Sequence, residues 1–105
     1  MLLEINKLQE ILYEEYCKNG YKDMWNSSGK VADIAELGLI VTEISEAMEE
    51  VRNKNTDMNH VEMECADILI RVINFMTRKG LSAEKGLLSC IQKNEKREKL
   101  HGKDV

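Results

Sequence analysis

Two pairs of acidic residues carry the clearest chemistry in this sequence: Glu43 and Glu46, within Glu43-Ile44-Ser45-Glu46, and Glu64 and Asp67, within Glu64-Cys65-Ala66-Asp67. In each pair the carboxylates are three residues apart, so on a helix they stand one turn above each other on the same face. Like charges at that spacing repel, so a counter-charge is wanted beside them. If the two segments are helices packed antiparallel, all four carboxylates can converge on one small volume. Hard oxygen donors of this kind suit Mg2+, with Mn2+ as a substitute, because both favour octahedral oxygen coordination. The chain offers no histidine or cysteine in a spacing that would complete a zinc site.

An ExxE pair by itself says little, since it recurs at Glu46/Glu49 and Glu95/Glu98. The ordinary reading of such a pair is a solvated helix face. ExxD occurs once, and on a helical wheel Glu64 and Asp67 border the apolar stripe instead of opposing it, with Arg71 and Asn74 continuing the same polar strip. Acids beside a core need partners, because burying unpaired charge is costly. A second charged group, Lys93, Lys96 and Arg97 with Asn94 among them, forms the cationic end of the last helix. Such residues complement a helix dipole or contact phosphates. Trp25, the only tryptophan, lies in a polar loop. It either anchors that loop on the bundle or stacks on a base, a contact that contributes about 1–3 kcal/mol in single-strand binding.

The elements that must position these residues are helices. The sequence has no proline, so helices can run unbroken, and apolar residues recur with helical rather than alternating period. The first helix is expected over about 2–19, with Leu3, Ile5, Leu8, Ile11, Leu12 and Tyr16 as its stripe and a stop near Asn19-Gly20. After a polar connection the second runs to Arg52, with Leu37, Val41, Ile44, Met48 and Val51 on one face. A turn over 53–59 leads to the third, 58–79, which ends at Lys79-Gly80. Val61, Cys65, Ile68, Val72 and Phe75 make one apolar stripe on it, while Ile70 and Ile73 point elsewhere. A helix with two apolar faces is central or sits at a subunit interface, and little of it should face solvent. Ser82 is placed to cap the fourth helix, with Glu84 in its first turn and Leu87, Leu88 and Ile91 before the cationic end. The tail, 101–105, is expected to be loose. The expected architecture is all-α, a four-helix bundle spanning 1–105 as a single domain.

A chain of 105 residues buries only a modest core, so assembly as a homodimer or homotetramer is expected to support it. Hydrophobic residues make up 43% and charged residues 32%, the balance of a folded helical protein rather than a disordered one. With 15 Lys+Arg against 19 Asp+Glu the net charge is −4, which argues against a general nucleic-acid binder. A nucleotide remains an admissible ligand if metal ions carry the positive charge. Cys17, Cys65 and Cys90 are far apart, the pattern of reduced thiols acting as small apolar residues. The N-terminus shows no signal-peptide pattern and no run nears the roughly 20 apolar residues of a membrane span. A cytoplasmic protein with no membrane partner is expected.

The run Glu43-Ile-Ser-Glu46-Ala47, then Glu64-Cys-Ala-Asp67-Ile-Leu after residues 47 to 63, resembles the ExxE…ExxD signature of MazG-like nucleoside triphosphate pyrophosphohydrolases. Lys93-Asn94-Glu95-Lys96-Arg97 followed by His101-Gly102-Lys103 resembles the basic C-terminal segment of that family. The resemblance runs from Glu36 to Lys103 and departs from the pattern at Thr42, where many relatives have another glutamate. It implies the all-α pyrophosphohydrolase fold, with Glu43, Glu46, Glu64 and Asp67 as the magnesium-binding, catalytic acids. A nucleoside triphosphate would be attacked at the α-phosphorus to give the monophosphate and pyrophosphate, in nucleotide-pool housekeeping. Lys93, Lys96 and Arg97 would contact the phosphates, and Trp25, Asn74 and Asn94 would be nucleotide contacts. The competing expectation is a non-catalytic nucleotide- or metal-binding module, or a regulatory oligomerisation module, which would bind nucleotide without releasing product.

Overall fold

The computed structural model describes residues 4–18 and 29–101, with side chains as far as Arg97. The described residues form four helices and no strand: α1 (Ile5–Lys18), α2 (Lys30–Arg52), α3 (Met58–Arg78) and α4 (Ala83–His101). The all-α architecture is thus the one the periodicity predicts; α1 begins at Ile5 instead of about residue 2, while the ends of α2 and α3 fall within a residue of expectation. Trp25, the stop at Asn19-Gly20 and the tail beyond His101 lie outside the described residues.

Local chemistry sets the helix ends. Asp57 caps α3, its Oδ1 accepting the Asn59 N–H at 3.0 Å. Gly80 ends α3 at φ +71°. Its N–H donates to Thr77 O at 3.0 Å and the Leu81 N–H to Met76 O at 2.8 Å, the paired bonds that close a helix on a left-handed residue. Ser82 caps α4 as expected, its Oγ accepting the Lys85 N–H at 3.1 Å. Gln9 then fastens α1 to this corner. Its Nε2 donates to Thr77 Oγ1 at 2.7 Å and Leu81 O at 2.9 Å, and its Oε1 accepts the Ala83 N–H at 3.1 Å.

α3 is the central helix: it packs most extensively against α2 and also touches α1 and α4. The short turn between α2 and α3 makes them antiparallel, so the start of α2 meets the end of α3. Charge decides which face of α2 turns inward. Asp33, Glu36, Ile40, Glu43, Ala47 and Glu50 form the half-buried or buried row, where Asp33, Glu36 and Glu43 reach Arg71 and Arg78 of α3 and Lys79 just after it. The apolar row, Ile34, Leu37, Val41, Ile44, Met48 and Val51, is where the spacing puts it but faces outward, exposed throughout. This reverses the usual orientation of an amphipathic helix.

The expectation that little of α3 faces solvent does not hold within one chain: Met58, Met63, Cys65, Leu69, Ile70 and Val72 are exposed, and on α4 Cys90 is exposed too. Ile40 and Ala83 are the buried apolar residues among those described. The radius of gyration, 16.8 Å, exceeds the about 13 Å of a compact chain this long. Too few neighbours surround α3 to cover it. Among the described residues no helix is long and apolar enough to cross a membrane.

Candidate functional site

Glu43 and Glu46 stand one turn apart on α2, and Glu64 faces them from α3. The antiparallel pairing brings one carboxylate oxygen from each of the three within 4.8 Å of one another. Ligands held about 2.0–2.1 Å from a small dication lie at most about 4.2 Å apart. Rotations of well under an ångström in partly exposed side chains would therefore suit this set to a hard cation, and the all-oxygen donors fit Mg2+ or Mn2+. His60 Nε2 lies 2.9 Å from Glu64 Oε1 and orients that carboxylate. The bond to Glu64, aided by the charge of Glu50, raises the His60 pKa above its ordinary value.

Asp67, one turn beyond Glu64, joins the group through Arg71. Arg71 Nε donates to Asp67 Oδ2 at 3.1 Å, and Arg71 Nη2 lies 3.4 Å from Glu43 Oε1. The structure therefore gathers three of the expected acids directly and ties the fourth to them by a guanidinium.

Beside the acids a cleft of about 610 Å³ opens among α1, α2 and α3, within the size range of small-molecule sites. It exists partly because Ala32 and Ala35 offer only methyl groups to it, and Leu12, Tyr16, Leu39, Ile40 and Ile70 give it apolar walls. Asp67 and Arg71 lie toward one end, Glu36 and Arg78 toward the other, a span along α3 of roughly 16 Å at 1.5 Å per residue. Between them is Asn74, whose Oδ1 is buried with no hydrogen-bond partner among the described residues. An orphaned buried acceptor is costly unless a donor reaches it.

Ion pairs hold the far end. The Arg78 side chain is 5% exposed, with Nη2 2.6 Å from Asp33 Oδ1 and Nε 2.7 Å from Glu36 Oε1. Its guanidinium lies 5.5 Å from the centre of the Phe75 ring. Lys79 Nζ adds a contact to Asp33 Oδ2 at 2.8 Å. Hydrogen bonds from Lys79 and Arg78 hold the Asp33 pKa below the ordinary carboxylate value.

Lys93, Asn94, Lys96 and Arg97 are exposed on the second half of α4, and no ion pair among the described residues joins them to the acids. Trp25 lies outside the described residues. His60 is not among the site residues expected from the sequence. The i,i+4 spacing of His60 to Glu64, and of Asp67 to Arg71, was the available signal for both pairings. The bridge from Arg78 to Asp33 and Glu36 crosses between helices and leaves no local signal.

The profile of the family described as MazG nucleotide pyrophosphohydrolase domain matches residues 35–101, well over half of the chain and inclusive of the four acids and the cationic end of α4. No curated protein and no solved structure matches the chain significantly.

Proposed function

Since the chain belongs to the MazG nucleotide pyrophosphohydrolase family, we propose that it hydrolyses a nucleoside triphosphate to the monophosphate and pyrophosphate at the acids shared by α2 and α3. The observation that carries this reading is the convergence of Glu43, Glu46 and Glu64 from two helices, next to a cleft of nucleoside size.

In this reading Glu43, Glu46, Glu64 and Asp67 hold magnesium, with manganese as a substitute. The bound metal supplies charge neutralisation on the triphosphate and activates the water that attacks the α-phosphorus. The chain's own residues do the rest. His60 keeps Glu64 turned toward its neighbours. A carboxylate not fully engaged takes the proton of the attacking water. The apolar walls of the cleft enclose the nucleoside and exclude water, and Asn74 Oδ1 accepts a donor from it. Lys93, Lys96 and Arg97 stabilise the departing pyrophosphate, with Asn94 beside them. Trp25 and Asn94 remain the proposed further nucleotide contacts, and nucleotide-pool housekeeping in the cytoplasm the proposed setting.

The active form is proposed to be a homo-oligomer, dimer or tetramer. Support comes from the outward row of α2: Ile34, Leu37, Val41, Ile44, Met48 and Val51 alternate at spacings of three and four, the spacing of a helix-packing seam, yet all are exposed. A second copy of the chain would cover them.

The test is incubation with a panel of canonical and modified nucleoside triphosphates, with Mg2+ or with EDTA, the products being resolved by ion exchange. Metal-dependent monophosphate plus pyrophosphate is the expected result. Diphosphate plus orthophosphate would mean a phosphatase, and binding without any product would favour the non-catalytic module.

A further inference from the structure

Arg71 stands where the acids meet the cleft, and we propose that it is a built-in counter-cation that a divalent metal displaces from Asp67 and Glu43 and that then turns to the triphosphate. The inference rests on the metal-dependent reading above and adds a role for a residue which that reading does not use.

The geometry is specific. One guanidinium reaches Asp67 on its own helix at 3.1 Å and Glu43 on the facing helix at 3.4 Å, so it offsets one acid of each pair. Oxygens engaged with N–H donors offer less electron density to a cation, and the bond to Arg71 holds Asp67 apart from the three-glutamate group. A dication that drew all four acids together would compete with both contacts, and its charge would repel the guanidinium at such short range. The released side chain has room to move, being 44% exposed, and it already lines the cleft. A triphosphate joining a nucleoside in the cleft to a metal at the acids passes this position. The planar fork of N–H donors suits phosphate oxygens. Arg71 would thus neutralise the acids before substrate arrives and the phosphates afterwards.

A purely structural ion pair makes the opposite prediction. Removing it would loosen the contact between α2 and α3 and weaken metal binding, whereas removing a competing cation strengthens it. The experiment is calorimetric titration with Mn2+, without nucleotide, of the wild type, Arg71→Gln, Arg71→Lys and Glu64→Gln, with far-UV circular dichroism to confirm folding. Arg71→Gln is expected to bind Mn2+ about five-fold tighter than the wild type, the order set by losing two exposed ion pairs. Arg71→Lys, which keeps the charge, is expected to stay near the wild type. At saturating metal the KM of Arg71→Gln for the triphosphate is expected to rise about ten-fold, the loss of one charge-assisted contact. If the wild type binds Mn2+, Glu64→Gln does not, and Arg71→Gln binds no tighter than the wild type, this inference falls and the metal-dependent reading stands. If neither the wild type nor Arg71→Gln binds Mn2+, both fall.

Discussion

Replacing Val41 tests whether the apolar row of α2 is an interface between two copies of the chain. Val41 is 64% exposed and Ile44, one turn on, is 43% exposed. Fully burying a valine side chain is worth about 1.5 kcal/mol, so covering what remains exposed at Val41 gains about 1 kcal/mol. In a two-fold dimer each residue counts twice, giving about 2 kcal/mol, or roughly 30-fold in the dissociation constant. Val41→Ala gives up most of that and is expected to weaken association by roughly 10- to 30-fold. Val41→Glu is expected to leave a monomer at micromolar concentration, because its carboxylate would be buried in an apolar seam without a partner. Sedimentation velocity across a concentration series measures both. Lys54→Glu, in the exposed turn after α2, is the control and should keep the wild-type mass. Because Val41 touches little of its own chain, circular dichroism should show Val41→Glu still helical. Wild-type mass in Val41→Glu, or a monomeric wild type at high concentration, would refute the reasoning.

Three further outcomes follow from the same geometry. Glu64→Gln should remove turnover while leaving the helical spectrum unchanged; the loss should exceed the roughly 10–100-fold typical of a residue that only supports a ligand, and an active variant would contradict the metal assignment. Gln9→Ala strands the Ala83 N–H and the Leu81 carbonyl at a packed corner, at a cost of about 2–4 kcal/mol, so the melting temperature should fall on the order of 10 °C; an unchanged melt would show that the corner is held otherwise. Asp33 has a lowered pKa from Lys79 and Arg78, so its contribution to stability is complete above the ordinary carboxylate value and disappears as pH falls through the lowered one. Asp33→Asn should therefore melt below the wild type at neutral pH, the difference closing only below about pH 4; a constant difference down to strong acid would assign the effect to packing.

The helices and the acids were legible because both are written locally. Gly80 ends α3 and Ser82 starts α4 through bonds to residues at most five positions away, and Glu43/Glu46 and Glu64/Asp67 share faces by spacing alone. The orientation of α2 was not legible. It carries two rows at alternating spacings of three and four, one rich in acids (33, 36, 40, 43, 47, 50) and one apolar (34, 37, 41, 44, 48, 51). Hydrophobicity alone assigns the apolar row to the interior. The structure chooses the other because Arg71, Arg78 and Lys79 supply the counter-charges from α3, and that information sits tens of residues away in the chain.

The inverted helix ties association to chemistry. If α2 buried its apolar row against α3, the helix would turn by about 100° and Glu43 would leave the face it shares with Glu64. Turning the acids inward builds the site and pairs them with Arg71, Arg78 and Lys79, but it leaves the apolar row in water, at a cost in hydrophobic free energy. A second copy covering Val41 and Ile44, as proposed, would reduce that cost. Val41 and Ile44 belong to a row one residue, about 100°, round the helix from the row of Glu43, so the surface proposed to join two chains adjoins the helix face that gathers the acids, and whatever fixes the orientation of α2 bears on both.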